Sequence, residues 1–167
     1  MKYHWLFVII VLSLGCCAST ESKKALSLRE AIEQSAEKTA HDLPAGSRVA
    51  IVAFDSENAI LSEYIMEELT GALFDRGVMV ADRQNLAHVY KELDFQITGD
   101  VSDESAMSIG KFLGADIVVT GQLASFGDLY RFRISALNVE TAAHVSITRL
   151  DVRSDPNLKR MIGVGQR

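Results

Sequence analysis

The chain opens on an apolar run, Trp5-Leu-Phe-Val-Ile-Ile-Val-Leu-Ser-Leu14, and passes through Gly15-Cys16-Cys17 into the small, polar stretch 18–24. Leu28, Ile32, Ala36 and Ala40 then recur every fourth residue with charges between them, which predicts a helix over 25–43, stopped by Pro44-Ala-Gly46. Residues 48–54 are apolar on both alternations, as in a strand buried on two faces. Leu61, Ile65, Leu69, Ala72 and Leu73 predict a helix over 61–76, with Gly77 placed to end it in a left-handed conformation. A short apolar strand, 78–81, follows, and Asp82 is an N-cap candidate for a helix through Leu93. A further helix over 103–113 carries Ala106, Ile109, Gly110 and Leu113 on one stripe, punctuated by Ser102 and Gly114.

Beyond Gly114 the period changes from helical to alternating. Residues 116–124 hold the run Ile117-Val-Val119, and Phe126-Gly-Asp128 is a turn signal. Tyr130, Phe132, Ile134 and Ala136 alternate with Arg131, Arg133 and Ser135, the pattern of a half-buried strand. A turn at 140–143, a third strand over 144–152 and a short helix from Asp155-Pro156 complete the chain. The order predicts a single-domain α/β fold: a mixed sheet of about five strands flanked by helices and ending in an antiparallel three-stranded meander.

The first segment reads as an address. Lys2 supplies a basic head, and the apolar core is half the roughly 20 residues that a spanning helix needs. A small residue followed by cysteine resembles a bacterial lipoprotein signal, which implies cleavage and acylation of a cysteine thiol and its new amino group. Cys16 places Gly15 before the cut. Cys17 is the alternative, with Leu14 better positioned but Cys16 at the scissile bond. The expected layout is a signal at 1–15, a lipidated tether at 16–24, a leading helix at 25–43, packed on the body or serving as a stalk, and a domain at 45–165. No cysteine follows Cys17, so the body holds neither a disulfide nor a thiolate metal site. Acyl chains contribute ~0.8 kcal/mol per buried methylene, and several together anchor durably.

Composition narrows the chemistry. The 167 residues are 48% hydrophobic with net charge −5, ample for one core and unfavourable for a phosphate-backbone binder, so nucleic acid is not an expected partner. Neither a phosphate-binding glycine loop nor a dinucleotide fingerprint, zinc-protease pair or nucleophile elbow occurs. His41, His88 and His144 stand apart from one another, and Asp100, Asp103 and Glu104 collect where a helix amino end favours acids. No catalytic residue, cofactor or metal is expected. Arg131, Arg133, Arg149 and Arg153 occupy odd positions on two neighbouring strands. If those positions face out, they form a basic stripe able to receive an acidic partner surface or wall polymer, although Asp151, Leu137, Val139, Val145 and Ile147 share the parity.

Four segments together resemble the curli-secretion (CsgG) superfamily, which includes the LpoB-like lipoproteins that activate penicillin-binding proteins. They are Val49-Ala-Ile-Val-Ala-Phe-Asp55, the strand Val78-Met-Val-Ala-Asp-Arg83 after its helix, the stretch Leu86 to Glu92, and Ile109-Gly-Lys-Phe-Leu-Gly-Ala-Asp-Ile-Val-Val-Thr-Gly121, the most specific. The resemblance covers about residues 45 to 152. It implies a non-enzymatic, lipid-anchored envelope protein, expected at the outer membrane facing the periplasm, that modulates another envelope protein, above all a peptidoglycan synthase. A component or regulator of a secretion assembly, including a homo-oligomer, is the alternative. Pore-forming members carry two extra amphipathic hairpins, each strand needing ~9–11 residues to span. The connections after Asp55 and between Leu93 and Ser102 are too short for them.

Overall fold

A computed structural model describes residues 25–82 and 102–164. The anchor segment, the tether, the stretch through His88 to Asp100 and the last three residues lie outside the described residues. Along the described chain run α1 (Leu28–Asp42), β1 (Arg48–Asp55), α2 (Ala59–Phe74), β2 (Met79–Val80), α3 (Asp103–Phe112), β3 (Ile117–Phe126), β4 (Leu129–Asn138), β5 (His144–Arg153) and α4 (Pro156–Val164). The strands form one sheet in the order β2-β1-β3-β4-β5. β1 pairs in parallel with β2 and β3, and β3, β4 and β5 form the antiparallel meander. This is the mixed, single-domain α/β architecture that the alternation of periods predicts.

The sheet has an inner and an outer face. The inner face, with Val49, Ile51, Phe54, Ile117, Val119, Leu123, Phe132, Ile134 and Val152, packs against α1, α2 and α4. Phe54 and Phe132 stack at its centre, ring centroids 5.5 Å apart. A β-bulge in β1, where Ile51 pairs with Val119 but Ala53 with Thr120, puts Phe54 on this face. Strict alternation from Ile51 would point it the other way, and the extra residue re-aims it. Gly121, opposite Phe54, must lack a side chain, since a Cβ there would lie 2.4 Å from the phenyl ring and 2.8 Å from Ile134.

Among the described residues, α3 is the helix that covers the outer face. Ala106 and Ile109 pack there on Ala50, Val52, Val118, Leu137 and Val139. Gly110 permits the approach, because a Cβ would come within 2.3 Å of the Val118 side chain. Asp116 receives the backbone N–H of Arg48 at 2.8 Å, tying β1 to the start of β3. Gly77 closes α2 with φ +78, the left-handed ending its position predicts.

The leading helix is part of the body. Ser27 caps α1 in a capping box: Glu30 N–H donates to the Ser27 hydroxyl at 3.3 Å, and Ser27 N–H donates back to the Glu30 carboxylate at 2.7 Å. Leu28, Ala31, Ile32 and Ala36 are buried against the inner core. The predicted helix from residue 25 starts three residues later, because Leu26 instead forms a parallel bridge to Val152 at the edge of β5. Among the described residues, no helix is long and apolar enough to cross a membrane.

Candidate partner-binding face

β3, β4 and β5 extend beyond α3, leaving half of the outer sheet face uncovered by any described element. Its side chains follow from register. Asp55, Gln122, Arg133 and Arg149 form one cross-strand row from β1 to β5. Ala124, Arg131 and Asp151 form the next, and Phe126, Leu129 and Arg153 the one at the hairpin end. The alternation that buries Phe132 and Ile134 inward therefore turns all four predicted arginines outward, onto one surface.

They do not act as four equal charges. Arg131 faces Asp151 across the strands, Nε 2.7 Å from Oδ1, and its guanidinium lies 4.7 Å from the centroid of the Phe126 ring. Arg153 wraps round the edge strand: Nη1 approaches Glu30 at 3.6 Å and donates to the Ala25 carbonyl at 3.3 Å, while Nε lies 3.9 Å from Asp155. Arg153 is thus a structural tie between β5 and the start of α1. Arg133 and Arg149 are directly opposed, exposed, and without an ion pair among the described residues. Like charges in direct cross-strand register cost stability, on the order of 0.2–1 kcal/mol. The predicted stripe therefore reduces to a two-arginine centre flanked by a neutralised, ring-stacked Arg131.

The surroundings sharpen that centre. Gln122 Nε2 donates to Asp55 Oδ2 at 3.1 Å, so the row runs from an acid through an amide to two guanidiniums. Ser135, one row away, shares a 2.9 Å hydrogen bond with His144 Nδ1. Phe126, 62% exposed, stands at the hairpin end of the same face. A guanidinium offers five donors in a planar fork, and two side by side suit carboxylates presented by a partner. Val145, which shares the stripe's parity in sequence, packs against the inner core instead, because a register shift between Ala136 and Leu137 breaks the alternation. The ring of Phe126 carried no sequence signal beyond the turn it precedes.

Chemistry of other kinds finds little support among the described residues. No group of three or more His, Cys, Asp or Glu there is arranged to hold a metal ion. His41 lies at the end of α1, its Nδ1 3.3 Å from Asp42. Asp103 and Glu104 occupy the first turn of α3 behind the Ser102 cap, as helix electrostatics favours. The Asp42 carboxyl is displaced far from its usual range, held down to about 2 because Lys38 and then Ser146 donate hydrogen bonds to it. That cluster joins α1 to β5 on the inner side.

No protein-family model and no curated protein matches the sequence. The fold does match solved structures. The chain is similar to the LpoB C-terminal domain from Salmonella enterica, with 16% identity and a TM-score of 0.65 over 76% of this chain and 98% of that one. It is likewise similar to Escherichia coli LpoB in solution, at 16% identity and a TM-score of 0.64 over 77% of this chain and 68% of the other. Lipoprotein GNA1162 from Neisseria meningitidis matches at 13% identity and a TM-score of 0.53 over 72% and 93%. The body thus has the fold of the LpoB C-terminal domain, at an identity where likeness speaks for architecture.

Proposed function

We propose that this chain is a lipid-anchored cell-envelope protein without enzymatic activity, which binds a penicillin-binding protein and favours its active state. The observation that carries this reading is the outer face, half open among the described residues, where Arg133 and Arg149 are opposed and have no ion pair with another described residue, on the fold of the LpoB C-terminal domain. An activator needs only differential affinity: it shifts its target toward whichever state it binds more tightly. Arg133, Arg149 and the exposed Phe126 are the contact residues, with Arg131 held ready by Asp151. Anchoring falls to Cys16, or to Cys17, with the outer membrane as the site. The described β1–α2 connection, residues 56–58, leaves no room for a barrel hairpin, which favours an accessory over a pore-forming component and keeps membership of the CsgG superfamily on the compact side.

Two measurements test this. Intact-mass analysis of native protein is expected to show the mature chain starting at Cys16 with its acyl groups, and Cys16→Ser is expected to abolish them. Cross-linking in intact cells, followed by labelling with a fluorescent penicillin, is expected to give a labelled adduct. Charge reversal at both centres, Arg133→Glu with Arg149→Glu, is expected to weaken that adduct by at least about ten-fold, equivalent to roughly 1.4 kcal/mol. An undiminished adduct removes the arginine face from the reading. A mature protein without fatty acid removes the anchor.

A further inference from the structure

We infer that the arginine face works in the layer immediately beside the bilayer holding the lipid, on a protein partner that brings an acidic surface into that layer. The inference rests on the lipid-anchored reading above and adds a distance to it. The point where the chain leaves the body is fixed. Leu26 N–H donates to the Asp151 carbonyl at 2.8 Å, and Arg153 N–H donates to the Leu26 carbonyl at 2.8 Å. Arg153 also holds the Ala25 carbonyl and the Glu30 carboxylate. The exit is thereby locked to β5, the strand that carries Arg149.

Reach follows by arithmetic. Arg149 lies three residues along β5 from Val152, the bridge partner of Leu26, or about 10 Å. From Cys16 to Ala25 the chain advances nine residues, and from Cys17 eight. Fully extended, these span at most ~30 Å. Adding the step from Ala25 to Leu26 and the strand spacings across β5 to β4, the two arginines remain within about 50 Å of the point of lipid attachment, however the tether is arranged.

The pattern of charge identifies the occupant as a protein surface. The face is not uniformly basic: Asp55 closes the central row and Asp151 the next. A lipid headgroup layer presents the same phosphates everywhere and would meet these acids with repulsion. A partner with carboxylates spaced to meet Arg133 and Arg149, and an apolar group to meet Phe126, would fit them all. Aromatic and arginine side chains are the residue types that carry most binding energy at such surfaces. On a protein of net charge −5, two exposed guanidiniums in register repel one another until an acid separates them, which gives the acidic partner its selectivity.

The test uses the full lipidated chain in cells, with a photo-cross-linking amino acid replacing Ile147 on the outer face and a fluorescent penicillin as the probe for the captured protein. Two spacers of about 40 residues are inserted in turn between residues 24 and 25. A helical spacer adds ~60 Å of stiff length, whereas a Gly/Ser spacer leaves the body free to return to the bilayer. The labelled adduct is expected with the native tether and with the flexible spacer. With the helical spacer it is expected to fall at least ten-fold in cells and to recover after detergent extraction. An adduct of undiminished strength in cells with the helical spacer overturns the inference and leaves the proposed function standing. Photo-adducts to lipid in place of protein also overturn it, in favour of a bilayer contact. No penicillin-labelled adduct under any condition, detergent included, defeats the proposed function and this inference with it.

Discussion

The two faces of one sheet have been put to different uses. The inner face is apolar from β1 through β4, carries Ser146 and Thr148 beside Leu150 and Val152 on β5, packs against α1, α2 and α4, and is centred on the stacked pair Phe54 and Phe132. The outer face is apolar under α3 and beyond it presents arginine, aspartate and glutamine beside Ala124, Phe126 and Leu129. Hydrophobic burial, at roughly 25 cal/mol per Å² of apolar surface, is concentrated where it holds the fold. The remainder of the outer face is left to tolerate Arg133 opposite Arg149, an arrangement that costs stability in the isolated protein. The lesson is that a residue on this sheet is read by its face before its type, and substitutions on the two sides should separate stability from partner capture.

The contrast breaks most visibly on the inner side. Phe132 is fully buried, and Phe132→Ala is expected to destabilise by ~3–5 kcal/mol in denaturant titration, enough to threaten the fold at growth temperature. Gly110→Ala probes the covered part of the outer face. On an exposed helix this change stabilises by up to ~1 kcal/mol, but here the new methyl would meet Val118 and Val139. A loss of ~1–3 kcal/mol is expected, and a gain would mean that α3 rides higher than its packing shows.

Asp42 gives a pH signature at the inner edge. Its carboxyl is held down to about 2, below the usual 3.8, so the stability it contributes is present above pH ~4 and is lost as the pH falls toward 2. Asp42→Asn is expected to cost about 1 kcal/mol at neutral pH and to flatten the acid limb of the stability profile. The smallest effect belongs to the open face. Arg149→Glu replaces a like-charged pair with an opposite one and is expected to raise stability by ~0.2–1 kcal/mol while weakening partner cross-linking. A drop in stability with capture intact would reverse the assignment of the two faces.

Much of this was legible in the chain. The double-sided run 48–54, the helix stripe ending at Gly77, and the alternation of Phe132 and Ile134 with Arg131 and Arg133 all became the elements they predict. What stayed hidden depends on which strands meet and in what register. Nothing local in Val49 to Asp55 shows the bulge that swings Phe54 inward, because it is defined against β3. The pairing of Arg131 with Asp151, which removes one charge from the stripe, exists only once β4 and β5 are aligned. Arg153 was indistinguishable from its neighbours until Glu30 and Ala25 came round the edge to meet it. The start of α1 did have a signal, Ser27-x-x-Glu30, whose capping geometry outweighs the apolar period that extends the helix to residue 25.

The bridge between Leu26 and Val152 also sets an order of events. The seam joins residues that synthesis places near opposite ends of the body, so it closes only after β5 has emerged and aligned. Until then the outermost strand lacks the backbone partners that Leu26 provides, and a bare strand margin invites pairing with a neighbouring chain. The margin beside Asp151 to Arg153 is thus finished last, when the start of the body returns to cover it.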